Sequence, residues 1–210
     1  MESLQSDLYF KTAESDLELQ SCYRLRFQVY CKEKRWLPTK NFPNGLEIDE
    51  YDDKAVHVIA LDEDFRVVGL MRILRGRDYK KLPYLDHPGI KRKQLNLPNV
   101  GELSRFVVTS SKYRYYVLKG IFRAIYQTSR QLGLEHWVFV SEPSMIRFME
   151  RFKFYFNPIC TPAKFYGGFT LIATSDINSH EEIWKQRKEI EAIKFNTAES
   201  TILQPQAVVV

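Results

Sequence analysis

Cysteine is scarce in this chain. There are three, Cys22, Cys31 and Cys160, and none lies in a CxxC pair. An odd, unpaired set argues against a disulfide framework and for a reducing compartment. The four histidines, His57, His87, His136 and His180, show no metal-ligand spacing, so no metal site is expected. No GxSxG elbow and no GxxxxGK[ST] loop occur, which removes the usual serine-hydrolase and P-loop phosphate chemistries. No apolar run is long enough to cross a bilayer. MESLQSDLYF has no basic stretch leading into an apolar core, so no signal peptide is expected. The expected location is the cytoplasm. Internal repeats and low-complexity tracts are also missing. One domain over residues 1–195 and a patternless tail over 196–210 are the expected division.

What is present suffices for a folded core. Of 210 residues, 44% are hydrophobic and 14% aromatic. The net charge is +5 and is unevenly spread. EIDEYDD (47–53) and LDED (61–64) are acidic. RGRDYKK (75–81), KRK (91–93) and KYR (112–114) are basic. A basic face suits an acidic partner, although a solvated surface has the same composition. The alternating aromatics of FKFYF (152–156) read as core rather than as a base-stacking platform, so no nucleic-acid partner is expected.

Periodicity divides the chain. LYFKTA (8–13) reads as a strand, and Ser15 or Asp16 can cap the helix that follows. Leu19, Cys22, Tyr23, Arg26, Val29 and Tyr30 share one face of that helix. A loop spans 37–53. AVHVIAL (55–61) and RVVGLMRIL (66–74) form a hairpin about DEDF. Alternation places Val68, Leu70, Arg72 and Leu74 on one face. A long basic loop (75–99) leads to the strand GELSRFVVT (101–109). An amphipathic helix over 115–132 ends at Gly133. HWVFVS (136–141) is a buried strand, and a helix opens at Pro143. Two more strands fall within 153–160 and 168–175. Ser179 and Glu182 form a capping box for a last helix through about Ile193. This order predicts an α/β fold, a mixed sheet flanked by helices.

Three guanidiniums fall where their neighbours ask for burial: Arg26, Arg72 and Arg105. An unpaired buried guanidinium is very costly, so each needs a carboxylate or a bound anion. Glu47, Asp49, Asp52 and Glu102 are the candidate partners, in a network of three arginines and four acids. Such a network is either purely structural or shapes a polar pocket for a charged or zwitterionic substrate. By alternation Glu102 and Ser104 point to one face of their strand and Arg105 to the other. Glu102 then supplies a general base while Arg105 anchors the strand.

Four stretches, RFQVYCKEKRW (26–36), GLEIDEYDDKAVHV (45–58), VVGLMRIL (67–74) and GELSRFVV (101–108), resemble the autoinducer (acyl-homoserine-lactone) synthases. They also resemble the related N-acyl amino acid synthases and exosortase-associated acyltransferases. The resemblance covers roughly the first half of the chain and implies a single-domain GNAT-like fold. It places Arg26, Tyr30 and Trp36 at the substrate cleft, with Glu47, Asp49 and Asp52 as the acidic triplet and Arg72 as the arginine of a G-x-x-R strand. Glu102, Ser104 and Arg105 match an E-x-S-R strand with Glu102 as the favoured general base. Phe106, Val107 and Val108 match the backbone that receives the pantetheine arm of an acyl carrier protein.

Within that group, FRAIYQTSRQLG (122–133) and the EPS of 142–144 look more like the N-acyl amino acid synthase branch. The paired-glycine pyrophosphate loop of acetyltransferases is replaced by SSKYRYYVLKG, which favours a carrier-protein donor over coenzyme A. The expected activity is transfer of a long-chain acyl group from an acyl carrier protein thioester to an amino acid. No permanently bound cofactor is expected, since the carrier supplies the 4′-phosphopantetheine thioester. Lys112, Arg114, Lys119 and Arg123 form the expected docking face, joined by Arg147 and Lys153. The alternatives are lactone synthesis from S-adenosylmethionine, a non-catalytic acyl-binding protein of the same fold, and a coenzyme A-dependent acetyltransferase.

Overall fold

Alternating stretches become strands because every second side chain finds an apolar layer. A computed structural model describes residues 8–90, 97–109 and 114–181. Its strands are β1 (Tyr9–Thr12), β2 (Val56–Leu61), β3 (Val67–Arg75), β4 (Val100–Val108), β5 (His136–Ser141), β6 (Asn157–Pro158), β7 (Ala163–Phe165) and β8 (Gly168–Asp176). The sheet runs β1-β2-β3-β4-β5-β8-β6, with β7 paired to β8. Strands β1 to β4 are antiparallel neighbours. Strand β5 joins β4 in parallel and β8 returns antiparallel to β5.

Helix α1 (Asp16–Arg26) begins with a capping box. The Ser15 hydroxyl accepts from the Glu18 N–H, and the Glu18 carboxylate accepts from the Ser15 N–H, so two orphan donors are satisfied. The helix then widens into a π-helical segment, Phe27–Glu33. Tyr30 and Cys31, both in this segment, are buried. Such widening is common at functional sites.

Helix α2 (Arg114–Gln131) crosses the opposite face of β1 to β4. Its apolar side meets Phe10, Met71, Ile73, Leu103 and Trp137 in the main core. Helix α3 (Pro143–Glu150) buries Ile146 and Met149 in the same layer. Under α1 a smaller core gathers Cys22, Tyr30, Ile59, Leu70 and Val107. The expected side grouping of Val68 with Leu70 does not hold. A register shift near Ala60 and Leu61 breaks the alternation, and Val68 packs toward α2.

Beyond α3 the chain forms three strands rather than two. Phe152, Phe154 and Phe156 are buried as expected of core, but residues 151–156 are not strand. Ser179 lies in a short 3₁₀ turn, Asn178–His180, and its hydroxyl donates to the Asp176 carbonyl. Its expected partner Glu182, the helix through about Ile193 and the tail 196–210 lie outside the described residues.

Candidate active site

Strand β4 carries a defect that builds the site. Leu70 faces Val107 and Arg72 faces Ser104, so Arg105 and Phe106 together oppose Met71 alone. This is a β-bulge, and Arg105 takes a positive φ of 54° within it. The extra residue flips the alternation. Phe106 and Val108 turn toward the α2 core and Val107 toward the α1 core. Arg105 therefore lies on the same side as Ser104, and the expectation that it anchors the far face is corrected. The Tyr30 hydroxyl donates to the Phe106 carbonyl at 3.0 Å, which ties the π-helical segment to the bulge.

The bulge also ends a ladder. Strands β4 and β5 pair only from Val100 to Leu103, opposite His136 to Phe139. Past that point β5 pairs with β8 alone, and β4 has an open edge. The wedge between them is a cavity of about 180 Å³. Glu102, Ser104, Arg105 and Phe106 line one wall, and Phe139 to Glu142 with Met145 line the other. Tyr30 and Trp36, stacked with ring centroids 5.6 Å apart, border it. Val107 and Val108, expected beside Phe106 at the pantetheine arm, do not line it.

Beside the cavity, six charges close into a ring. Arg26 donates to Glu47 and, through both terminal nitrogens, to Asp52 at 2.7 and 2.9 Å. Arg72 donates to Asp52 at 2.9 Å and to Asp49 at 2.6 Å. Arg105 donates to Asp49 and to Glu47, both at 2.8 Å. Signs alternate around the ring and sum to zero, which is how such groups survive burial. Burial pushes the Glu47 and Asp52 carboxyls up. The arginine charges and hydrogen bonds overcome it and hold both well below the usual carboxylate range. Arg72 also donates to the Ser104 hydroxyl at 3.0 Å, fixing that side chain at the cavity wall.

Glu102 is not part of this ring, which corrects the expected fourth acid. It is 3% exposed. One oxygen accepts from the Tyr84 backbone N–H at 3.0 Å. No arginine reaches it with a hydrogen bond among the described residues. Burial pushes its carboxyl up to about 7, against the Tyr84 N–H and the distant Arg72 and Arg105 charges. A carboxyl of that pKa in a cavity can take a proton near neutral pH. Three arginines are spent on acids beside it, and the one acid they leave alone faces the cavity.

Sequence reasoning missed several wall residues. Tyr166 caps the cavity from the β7–β8 turn, with Arg105 held 6.0 Å from its ring centroid and 5.8 Å from that of Tyr30. Pro83 and Tyr84 sit on a 3₁₀ turn within the long basic loop. The dipeptide Gly167-Gly168 signals the turn, but nothing local says which cleft it covers. Of the expected docking cations, Arg114 is exposed at the start of α2, Lys119 lies 4.2 Å from the Tyr115 ring centroid, and Arg123 is half-buried on the same helix. Arg147 and Lys153 are exposed. Lys112 lies outside the described residues.

Comparison with known proteins agrees with this geometry. The family model for the acetyltransferase (GNAT) domain matches residues 25–121. An acyl-homoserine-lactone synthase of Aliivibrio fischeri is 31% identical over 143 residues, covering 65% of this chain and 73% of its own. A solved coenzyme A-dependent acyl-homoserine lactone synthase, bound to S-adenosylmethionine and isopentyl-coenzyme A, superposes with a TM-score of 0.62 at 23% identity, over 85% of this chain and 89% of that one. An N-acyl amino acid synthase from uncultured soil microbes shares the fold at a TM-score of 0.58 and 10% identity, over 81% of this chain and 91% of that one. No described helix is long and apolar enough to cross a membrane. The open mixed sheet, the bulged E-x-S-R strand and the extent of the match lead to one assignment: the chain belongs to the acyl-homoserine-lactone synthase family of GNAT-fold acyltransferases.

Proposed function

We propose that the protein transfers an acyl group from a pantetheine thioester to the amine of S-adenosylmethionine and closes the product to an acyl-homoserine lactone. The observation that carries this is Glu102, buried in the wedge, unpaired with any ring arginine and pushed up to about 7. The acceptor amine arrives as an ammonium ion. Glu102 takes its proton, and the free amine attacks the thioester carbonyl. The backbone N–H of Phe106, on the open edge of β4, is the donor nearest the wedge for the oxyanion that develops. The C–N bond forms, the C–S bond breaks, and the thiolate leaves to be protonated. The acceptor carboxylate then attacks the carbon attached to the sulfonium, breaking that C–S bond and releasing a thioether.

Charge supports a cationic acceptor. The ring is neutral in itself. The carboxylates beyond it that line the cavity are Glu102 and Glu142, so the wedge favours a sulfonium-bearing ligand. The donor arm is carried by an acyl carrier protein, for which Arg114, Lys119 and Arg123 on α2 offer a basic approach beside the open strand edge. Coenzyme A presents the same arm.

The E-x-S-R strand and the shared fold also suit acylation of an ordinary amino acid, the second reading. Mass spectrometry of extracts from an expressing host separates the two. An acyl lactone is expected, and it should vanish with Glu102→Gln. An acyl amino acid in its place would overturn lactone synthesis in favour of the second reading.

A further inference from the structure

The wedge ends sooner than a long acyl chain requires. Its inner walls are Phe106, Phe139 and Met145. Behind Phe106 stands Phe122, ring centroids 5.4 Å apart, and behind that Phe154 at 4.5 Å and Phe152 at 6.1 Å. Behind Phe139 stands Phe156 at 5.5 Å. Phe122, Phe154 and Phe156 are at most 3% exposed. These rings already fill the layer between the sheet and α2. A chain that pushed into it would have to displace close-packed side chains, and overpacking is resisted.

Size sets the limit. An apolar cavity of about 150 Å³ holds one benzene, about six carbons. This wedge has about 180 Å³, and it also seats the reacting carbonyl and the acceptor amine. Resting on the acyl-transfer reading, we infer that the donor carries a short acyl group, of about eight carbons or fewer, and that Met145 is the wall that sets the length. The long-chain donor implied by the family resemblance does not fit this cavity.

The test uses the full chain with two series of pantetheine derivatives, from about four to about sixteen carbons: acyl thioesters for turnover and non-reactive acyl amides for binding. Each methylene that finds an apolar wall tightens binding roughly fourfold. That gain should stop at about eight carbons, and kcat/KM should fall at least about tenfold for the longest thioesters. Met145→Ala should move the longest accepted chain up by about two or three carbons, and Met145→Trp should shorten it.

Binding that keeps tightening to the longest chain would overturn the length limit, whatever the turnover. Length-limited binding without turnover on any thioester would support the limit and sink the acyl-transfer reading instead. A Met145→Trp protein that melts like the parent and keeps the parental length profile would remove Met145 as the wall.

Discussion

At the scale of one residue, the decisive group is Glu102. Its carboxyl is raised because burial disfavours the anion and one backbone N–H is too little to compensate. Glu47 and Asp52 go the opposite way because arginines bond them directly. The pH dependence follows from the role. A base works when deprotonated, so kcat/KM should rise with pH through about 7. Glu102→Gln keeps the shape and the Tyr84 hydrogen bond but cannot accept the proton. Its kcat should fall at least about 100-fold, and its kcat/KM should lose that rise. Unchanged turnover at neutral pH would remove Glu102 from the mechanism.

The residue scale also shows how far the sequence can be read. Arg26, Arg72 and Arg105 betray themselves as guanidiniums among apolar neighbours, and the three acids that each meet two of them, Glu47, Asp49 and Asp52, lie within six positions of one another. The partner of each is not legible. Arg105 bonds Glu47 across 58 positions, and only register decides which carboxylate it reaches. Sequence groups Glu102 with the other acids because it does not show which acid the arginines leave out.

At the scale of elements, one glycine sets how closely α2 can approach β1. A methyl placed on Gly120 would stand 2.0 Å from the Phe10 ring, a ring with almost no exposed surface. Gly120→Ala should gain helix propensity and still lose about 1–3 kcal/mol from overpacking. A calorimetric melt checks it, and an unchanged or raised Tm would mean that the sheet yields there. The elements themselves were largely legible, since capping box, hairpin, helix stop and proline start are local signals. The π-helical turn and the bulge were not. Each adds one residue to a repeat for reasons that lie in the neighbouring layer, and that one residue put Arg105 on the opposite face from the one alternation predicts.

At the scale of the whole molecule, acid tolerance sets the buried Glu102 against two buried histidines, His57 and His180, the latter also lowered by burial. Glu102 has its carboxyl raised from 4.5 to about 7 in the folded protein. Between those values the folded state binds the proton first, so this residue adds stability as pH falls. His57 behaves oppositely. It is 1% exposed, neither ring nitrogen has a hydrogen-bond partner among the described residues, and burial followed by the Arg26 charge lowers it from 6.5 to about 4, against Asp52 at 3.4 Å. The unfolded chain takes that proton first, so stability drops as pH falls through this window. The windows overlap, so Glu102 offsets part of the loss from the histidines, and the Tm of the parent should fall less from pH about 6.5 to 4.5 than it would without that carboxyl. Glu102→Gln leaves His57 and His180 unopposed, and its Tm should fall more steeply than the parent's over the same span. A level profile in the variant would refute the balance. Below both windows, protonation of Asp52 and Glu47 breaks the ring and brings acid unfolding.

The net charge of +5 acts at the same scale. With the exposed Arg114 at the head of α2 it should draw an acidic carrier, so the KM for acyl carrier protein should rise about fivefold or more from low to high salt. A KM that ignores salt would exclude electrostatic docking.

Sequence by itself determined the alternation of strands and helices, the α/β class, the store of buried charge and the strand that carries Glu102, Ser104 and Arg105. Those are matters of spacing within a few residues, where side-chain period and backbone propensity act alone. Tertiary structure decided the closure of the six-charge ring, the isolation of Glu102, the roof over the cleft and the depth of the wedge. Each of these joins residues far apart in the chain, and a single extra residue in one strand chooses among the pairings.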